Sequence, residues 1–152
     1  MPERSVTHHT FSLDRSYDVP PSRVFAAWAD QTEKRRWWAG GDDSLELDFQ
    51  IGGREVSEGT VEDMRYRYEA VYQDIVPNER IIYTYEMHLN DERTSVSVAT
   101  VEIKPDGDGT KLTFTEQGAF LDGLDSGELR ENGTGSLLGF LDSYLAGERA
   151  SA

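Results

Sequence analysis

Two charged residues lie at positions where an alternating strand pattern predicts apolar side chains. Glu116 shares a face with Phe114, and Arg15 shares one with Leu13, so both are predicted to point inward. Inside a cavity, desolvation or pairing shifts the ionisation of a charged group and suits it to general acid–base catalysis. The alternatives are an Arg–Glu ion pair and a charge at the rim of the sheet.

Four tyrosines on two neighbouring predicted strands offer hydroxyl groups to a ligand. Tyr68 and Tyr72 alternate along residues 66–76, and Tyr83 and Tyr85 alternate along residues 80–89. A buried tyrosine usually has a hydrogen-bond partner for its oxygen, and a ligand carbonyl is one such partner. The alternative is that some of these side chains simply fill the core.

Other catalytic chemistries have no support in the sequence. It contains no cysteine and no His-Glu-x-x-His, Gly-x-Ser-x-Gly, phosphate-loop or dinucleotide motif. His8 and His9 fall in residues 1–9, which are predicted to be flexible, and His88 is opposite in parity to the inward tyrosines. Residues 105–109 read as a turn rather than a calcium loop. We therefore predict no metal site and no cofactor.

Charge and length restrict the possible partners. The 152 residues fit one domain, and 29 acidic against 15 basic residues give a net charge of −14. Such a surface repels nucleic acid and anionic membranes. Residues 1–13 do not resemble a signal peptide, and no stretch approaches the roughly 18 apolar residues of a membrane span. The prediction is a soluble cytoplasmic protein, for which monomer and dimer both remain open.

The longest predicted helix lies near the end of the chain, over residues 128–145. Leu137, Phe140 and Leu141 belong to one apolar helical stripe. Gly133 continues this stripe one turn earlier, where a missing side chain would leave room for a ligand. The alternative is that residues 132–133 form a turn and the helix begins near residues 134–136. Residues 146–152 are predicted to be a flexible tail.

Period-two alternation predicts seven strands. They cover residues 10–19, 45–51, 54–60, 66–76, 80–89, 94–103 and 111–117. Two short helices follow the first strand, one opening near Val24 and one running from residues 30–32 to Trp37 or Trp38. In residues 94–103 the apolar positions change parity after Val98, which predicts a bulge or burial on both faces. Residues 118–127 are predicted to be a mobile connection, with Ser126 as the helix N-cap.

Several stretches in this order resemble a known superfamily. They are residues 24–30 (VFAAWAD), 36–38 (RWW), 52–54 (GGR), 79–85 (ERIIYTY), 109–115 (GTKLTFT) and the closing helix 137–145. Together they resemble the START-like, or SRPBCC, helix-grip proteins, and within them the homologues of the activator of heat-shock-protein-90 ATPase and the polyketide cyclases. The resemblance covers nearly the whole chain.

The resemblance implies an α+β fold, in which a curved antiparallel sheet of six to seven strands wraps a long C-terminal helix. Members of the superfamily bind apolar small molecules between sheet and helix, some act on polyketides, and the name-giving member binds a chaperone. A tryptophan that is common early in the last helix is absent around Gly135 and Ser136. This difference implies a cavity that is larger or differently shaped.

The leading hypothesis is binding of a hydrophobic or aromatic small molecule between the sheet and the last helix. The predicted ligand-binding residues are Trp37, Trp38, Phe49, Tyr68, Tyr72, Tyr83, Tyr85, Met87, Phe114, Gly133, Leu137 and Phe140. One alternative is a polyketide cyclase-like enzyme that uses Glu116 or Arg15. Another is a chaperone ATPase-activating co-factor acting through its surface, which the acidity of the chain and the lack of a second domain disfavour.

Overall fold

The computed structural model describes residues 4–151 and shows one sheet wrapped around a long helix. Seven antiparallel strands are ordered β1-β7-β6-β5-β4-β3-β2. The strands are β1 (Val6–Tyr17), β2 (Glu46–Leu47), β3 (Arg54–Val61), β4 (Met64–Val76), β5 (Arg80–Leu89), β6 (Glu92–Asp106) and β7 (Gly109–Leu121). The helices are α1 (Pro21–Ala29), α2 (Gln31–Trp37) and α3 (Gly127–Ser151), with a 3₁₀ turn at Trp38–Gly40. The predicted helix-grip architecture is confirmed.

The inward face of the sheet follows the predicted alternation. Its buried residues on β4, β5 and β7 include Tyr68, Ala70, Tyr72, Ile81, Tyr83, Tyr85, Leu112 and Phe114. They form one hydrophobic core together with Leu138, Leu141 and Leu145 of α3. These helix residues recur at intervals of three and four, so they share one face of α3.

The bulge or two-sided burial predicted for β6 does not occur after Val98. Ser95, Ser97, Ala99, Val101 and Ile103 all point inward, whereas the intervening valines lie on the outer face. The strand keeps a period of two from Ser95 to Ile103, and its inward side chains become smaller and more polar towards residue 95. The pairing with β5 shifts register earlier, at Thr94, which has no partner between Met87 and His88. Hydrophobicity alone suggested the opposite face for this half of the strand.

The strand predicted over residues 45–51 is much shorter in the structure. Only Glu46–Leu47 form a strand there, and residues 48–53 form a tight loop with a Gly53 N–H to Gln50 carbonyl hydrogen bond of 2.8 Å. The loop stays attached to the sheet, because the Gly52 N–H donates to the Tyr72 carbonyl of β4 at 2.8 Å. A Cβ at Gly53 would lie 2.0 Å from the Asp48 carbonyl oxygen. Glycine is therefore required at this close approach. Ile51, at the end of the predicted strand, is 65% exposed.

Strands β1 and β7 are longer than predicted at the end where residues 6–9 pair with residues 118–121. Val6 pairs with Leu121 and His9 pairs with Gly118, so residues 6–9 and 118–121 are strand. The expectation of a flexible segment over residues 1–9 does not hold for residues 6–9, and residues 1–3 lie outside the described residues. His9 contacts the start of α3, where its Nε2 lies 3.1 Å from the Glu131 carboxylate.

Helix α3 begins earlier and continues further than expected. Ser126 caps it, because its hydroxyl accepts a hydrogen bond of 3.2 Å from the Leu129 N–H. The alternative of a helix starting near residues 134–136 is wrong, and Gly133 lies within the helix. Residues 146–151 are helical rather than a flexible tail, and Ala152 lies outside the described residues. Within residues 4–151, no helix combines the length and hydropathy needed to cross a bilayer.

Candidate ligand-binding cavity

A partly open cavity of about 290 Å³ lies between the sheet and the first half of α3. Strands β4, β5 and β7 form its walls, the 3₁₀ turn forms one rim, and residues 130–140 of α3 close it. The nearest backbone contacts of α3 are with β1, α2 and the 3₁₀ turn. The helix is therefore held at the sides of the cavity while the centre stays open. The volume is close to the lower limit of about 300 Å³ for small-molecule pockets.

Most of the predicted ligand-binding residues line this cavity. They are Trp38, Tyr68, Tyr83, Tyr85, Met87, Phe114, Gly133, Leu137 and Phe140. Glu116, one of the two candidate acid–base residues, also lines it. The inward faces of the strands and the apolar stripe of α3 thus line a single interior space. Ligand binding by these residues remains a prediction.

Three predicted residues do not line the cavity. Trp37 is an internal anchor, since its Nε1 donates a hydrogen bond of 2.9 Å to the Ala27 carbonyl and its ring packs edge-on against Trp28. Phe49 and Tyr72 pack edge-on against each other with ring centroids 4.9 Å apart. Tyr72 stands opposite the lining residue Tyr83 in the register of β4 and β5, and the Trp37 ring packs 5.8 Å from that of the lining residue Trp38. These side chains therefore support the walls without reaching the open space.

An aromatic wall covers one side of the cavity. The ring centroids of Trp38 and Tyr68 are 5.2 Å apart, as are those of Tyr68 and Tyr85, and Tyr83 follows at 6.1 Å from Tyr85. Such tilted arrangements avoid face-to-face repulsion between π-systems. The wall presents a large, rigid apolar surface to a ligand.

The rim of the cavity is formed where the 3₁₀ turn meets α3. Ala39 has φ 52°, in the left-handed region that is uncommon for residues other than glycine. A Cβ at Gly40 would lie only 3.3 Å from the Phe140 ring, so glycine there lets the turn approach the helix. Phe140 is 44% exposed because it sits at this mouth rather than in the core.

Glu116 and Tyr85 form the polar end of the cavity. Glu116 is 1% exposed, and the Tyr85 hydroxyl lies 2.8 Å from both carboxyl oxygens, to one of which it donates. Burial raises the pKa of Glu116 from 4.5, against the opposing effects of the Tyr85 hydrogen bond and the Arg130 charge. Burial and the neighbouring carboxyl also raise the pKa of Tyr85. The Tyr85 hydroxyl therefore keeps its proton, and Glu116 is the group of this pair that can take up or release one.

Arg130 is a cavity residue that the sequence analysis did not identify. Its guanidinium folds back over Gly133, where a Cβ would lie 2.9 Å from Nη2. Its buried Nε makes no hydrogen bond within residues 4–151 and lies 3.7 Å from the Asp125 carboxylate. Gly133 therefore makes room for the arginine as well as for the cavity. Extending the helical stripe by one more turn would have found this residue.

Arg15, the second acid–base candidate, is outside the cavity. Its Nε donates a hydrogen bond of 3.1 Å to the Asp142 carboxylate of α3, and the side chain keeps 27% exposure. It reaches neither the cavity nor Glu116, because its register partner is Leu112, four residues before Glu116 on β7. Arg15 therefore forms an ion pair, as one alternative predicted, but its partner is Asp142 rather than a glutamate.

A buried ion pair supports the aromatic wall from behind. Lys34 is 1% exposed and Glu55 is 0% exposed, with Nζ 2.7 Å and 2.9 Å from the two carboxyl oxygens. The Tyr72 hydroxyl donates to the same carboxylate. The ammonium group lies 4.4 Å from the centroid of the Trp38 ring, a cation–π contact. Burial lowers the pKa of Lys34, and the Glu55 carboxylate opposes this shift.

Other cavity residues also escaped the sequence analysis. They are Ala39, Ser57, Tyr66, Thr134 and Ser136. Most are small or polar, so a search for apolar periodicity does not identify them. Lys34 and Glu55 were missed for a related reason, since a charged residue in a short helix or strand is normally exposed.

One group of potential metal ligands occurs among the described residues. Ligand atoms of Glu69, Glu86 and His88 lie within 4.8 Å of one another on the outer face of the sheet. The Arg67 guanidinium already binds Glu69 with an N–O distance of 2.6 Å, and Arg54 is 3.6 Å away. These positive charges oppose a cation at this position. His88, predicted to be exposed, is half-buried here.

The sequence matches a known protein family. A family model described as Activator of Hsp90 ATPase homolog 1-like protein matches residues 18–146. The chain belongs to this family. No curated protein matches the sequence.

Solved structures show the same fold. An uncharacterized protein from Rhizobium leguminosarum is 40% identical, with a TM-score of 0.91, 95% of this chain covered and 98% of that one. The Mll3558 protein from Rhizobium loti is 46% identical, with a TM-score of 0.87 and coverage of 92% and 99%. An HSP90 activator from Plasmodium falciparum is 23% identical, with a TM-score of 0.54 and coverage of 70% and 71%. This last similarity concerns the fold alone.

Removing the cation of the buried pair is expected to destabilise the protein. Lys34→Met leaves Glu55 buried without its partner, and we expect the free energy of unfolding to fall by about 3–5 kcal/mol. Adding Glu55→Gln removes the uncompensated charge and should recover part of this loss. Urea unfolding followed by tryptophan fluorescence measures both effects.

Arg65→Met, which breaks the exposed pair with Asp91, is the control and should cost at most about 1 kcal/mol. A Lys34→Met cost as small as that would contradict the assignment.

Glu116 is expected to make stability depend on pH in a defined direction. Its folded-state pKa is raised, so the folded state holds its proton more tightly than the unfolded chain does. Its contribution is fully present below the ordinary pKa of about 4.5 and is lost as pH rises through the raised value. The difference in unfolding free energy between the native protein and Glu116→Gln should therefore fall across this window and then level off. A difference that stays constant with pH would show that the pKa is not raised.

Proposed function

We propose that the protein binds a hydrophobic or aromatic small molecule in the cavity between the sheet and α3. The observation that carries the proposal is an interior space of about 290 Å³ with an aromatic wall and a few polar groups at one end. Pockets for small molecules typically combine apolar walls with a few placed polar groups. Membership of the family is consistent with this function.

The walls of the cavity favour a planar ligand. Trp38 and Tyr68 are buried and fixed by neighbours on the side away from the cavity, including the ammonium of Lys34 against Trp38. Rigid rings lose little conformational entropy when a ligand packs against them. An aromatic or polycyclic ligand gains the largest contact area from such a wall.

A second candidate is acid–base catalysis of the polyketide cyclase type. Glu116 favours it, because burial raises the pKa of this carboxyl and a raised pKa brings a carboxyl closer to the range in which it both donates and accepts protons. As a base it would remove a proton from a carbon between two ligand carbonyls. The enolate carbon would then attack a ketone carbonyl further along the same chain, and the protonated Glu116 would return the proton to the alkoxide oxygen formed there. Arg15, outside the cavity, has no part in this candidate. No observation on residues 4–151 specifically favours the predicted chaperone co-factor role.

Filling the cavity is expected to abolish ligand binding. Ser136 lines the space and its own side chain is exposed, so Ser136→Trp should occupy the cavity without disturbing the core. A screen with flavonoid-, polyketide- and lipid-like compounds is read out by thermal shift. A ligand at about 100 times its Kd should raise the native Tm by roughly 5–10 °C, and Ser136→Trp should remove this shift.

The matched control is Ser143→Trp, which places the same side chain on an exposed position two turns further along α3. It should leave the shift intact. If no compound stabilises the native protein, or if Ser136→Trp responds as the native protein does, the cavity is not the binding site.

The catalytic candidate makes a separate prediction about turnover. With a poly-β-ketone substrate, Glu116→Gln should reduce the rate by roughly 10²–10⁴-fold while the affinity for the substrate is retained. Arg15→Gln should leave the rate unchanged, since this side chain lies outside the cavity. Liquid chromatography of the cyclised product follows the reaction. Equal rates for the native protein and Glu116→Gln would rule out this role for Glu116.

A further inference from the structure

We infer that the ligand carries a neutral carbonyl oxygen, which binds at the polar end of the cavity between Glu116 and Arg130 while its rings pack against the aromatic wall. This inference rests on the proposed function and adds the polarity of the ligand to it. It follows from how the two ends of the cavity differ in chemistry.

The polar end offers hydrogen-bond donors that lack acceptors. The buried Nε of Arg130 makes no hydrogen bond among the described residues, and the nearest carboxylate oxygen, on Asp125, is 3.7 Å away. A buried donor without a partner is unfavourable. A ligand oxygen placed beside it would recover this cost.

Glu116 contributes a second donor at the same end. Burial raises the pKa of its carboxyl, and whenever the carboxyl carries its proton it has an O–H to donate. The charged and titratable groups that act on it are Tyr85 from β5, Arg130 from α3 and Asp125 from the loop before α3. Two donors facing one space suit a carbonyl oxygen, which has two lone pairs.

A cationic ligand is the strongest competitor for this cavity. Aromatic rings with a nearby carboxyl are a common way to bind an ammonium group, and the net charge of −14 attracts cations. At this end, however, the positively charged Arg130 guanidinium would repel an ammonium group. An anionic ligand would face the Asp125 carboxylate as well as the acidic surface. A neutral acceptor avoids both repulsions.

Four probes with the same two-ring body test this inference. They are acetylnaphthalene, ethylnaphthalene, naphthylmethylamine and naphthoate, all substituted at the same ring carbon, and isothermal titration calorimetry gives their Kd values. The ketone is expected to bind about tenfold more tightly than the ethyl compound, which corresponds to a hydrogen bond of about 1.4 kcal/mol. The amine and the carboxylate should bind more weakly than the ketone.

Two variants assign the donors. Arg130→Met should reduce the preference for the ketone, and the part that remains, which Glu116 donates, should fall as pH rises through the raised pKa of Glu116. Glu116→Gln should keep a ketone preference, because its amide N–H also donates, but should remove the dependence of that preference on pH. Far-UV circular dichroism and thermal unfolding of each variant are the folding controls.

Each other outcome overturns a defined claim. Tightest binding of the amine would show that Glu116 acts as a carboxylate within an aromatic cage, and tightest binding of naphthoate would assign the polar end to anions. Equal affinities for all four probes would refute recognition at the polar end while leaving the proposed function in place. A ketone preference that Arg130→Met leaves undiminished would exclude this arginine as a donor. Failure of the native protein to bind any of the probes would count against the proposed function itself.

Discussion

The open centre of the molecule depends on how α3 is held against the sheet. Leu138, Leu141 and Leu145 in its second half pack into the hydrophobic core, whereas Gly133, Thr134 and Ser136 in its first half line the cavity. Close-packed interiors normally leave few voids larger than a water molecule. Contacts with β1, α2 and the 3₁₀ turn hold the helix at its sides, and the small side chains of its first half leave the space beneath it unfilled. The cavity is the consequence.

The same interior holds two buried carboxyl groups in contrasting environments. Glu55 is compensated directly by the Lys34 ammonium and accepts from Tyr72. Glu116 receives the Tyr85 hydroxyl and feels Arg130 only through space, so burial dominates and favours its neutral form. A buried charge needs both a partner and hydrogen bonds to remain ionised at low cost. One carboxyl therefore serves the scaffold, while the other remains available to a ligand.

Helix α3 owes its stability to packing rather than to its own sequence. Gly133, Gly135 and Gly139 lie in its interior, and each costs about 1 kcal/mol relative to alanine. Leu138, Leu141 and Leu145 are almost fully buried against the sheet and offset this cost. At Gly133 a Cβ would crowd the Arg130 side chain, which explains the glycine there. Nothing lies within 4 Å of a Cβ at Gly135 or Gly139. The first half of the helix thus packs less tightly than the second.

The sequence by itself determined the order of the elements and the inward faces of β4, β5 and β7, because local periodicity records which side of a strand or helix is buried. It also placed Glu116 and most of the aromatic wall correctly. Only the tertiary structure decided the inward face of β6, the buried Lys34–Glu55 pair, the position of Arg130 and the exclusion of Arg15. Each of these depends on which distant side chain stands opposite, since a polar residue is buried only when a partner or an open space compensates its desolvation. Residues far apart in the chain supply that compensation, and local periodicity does not predict which of them pair.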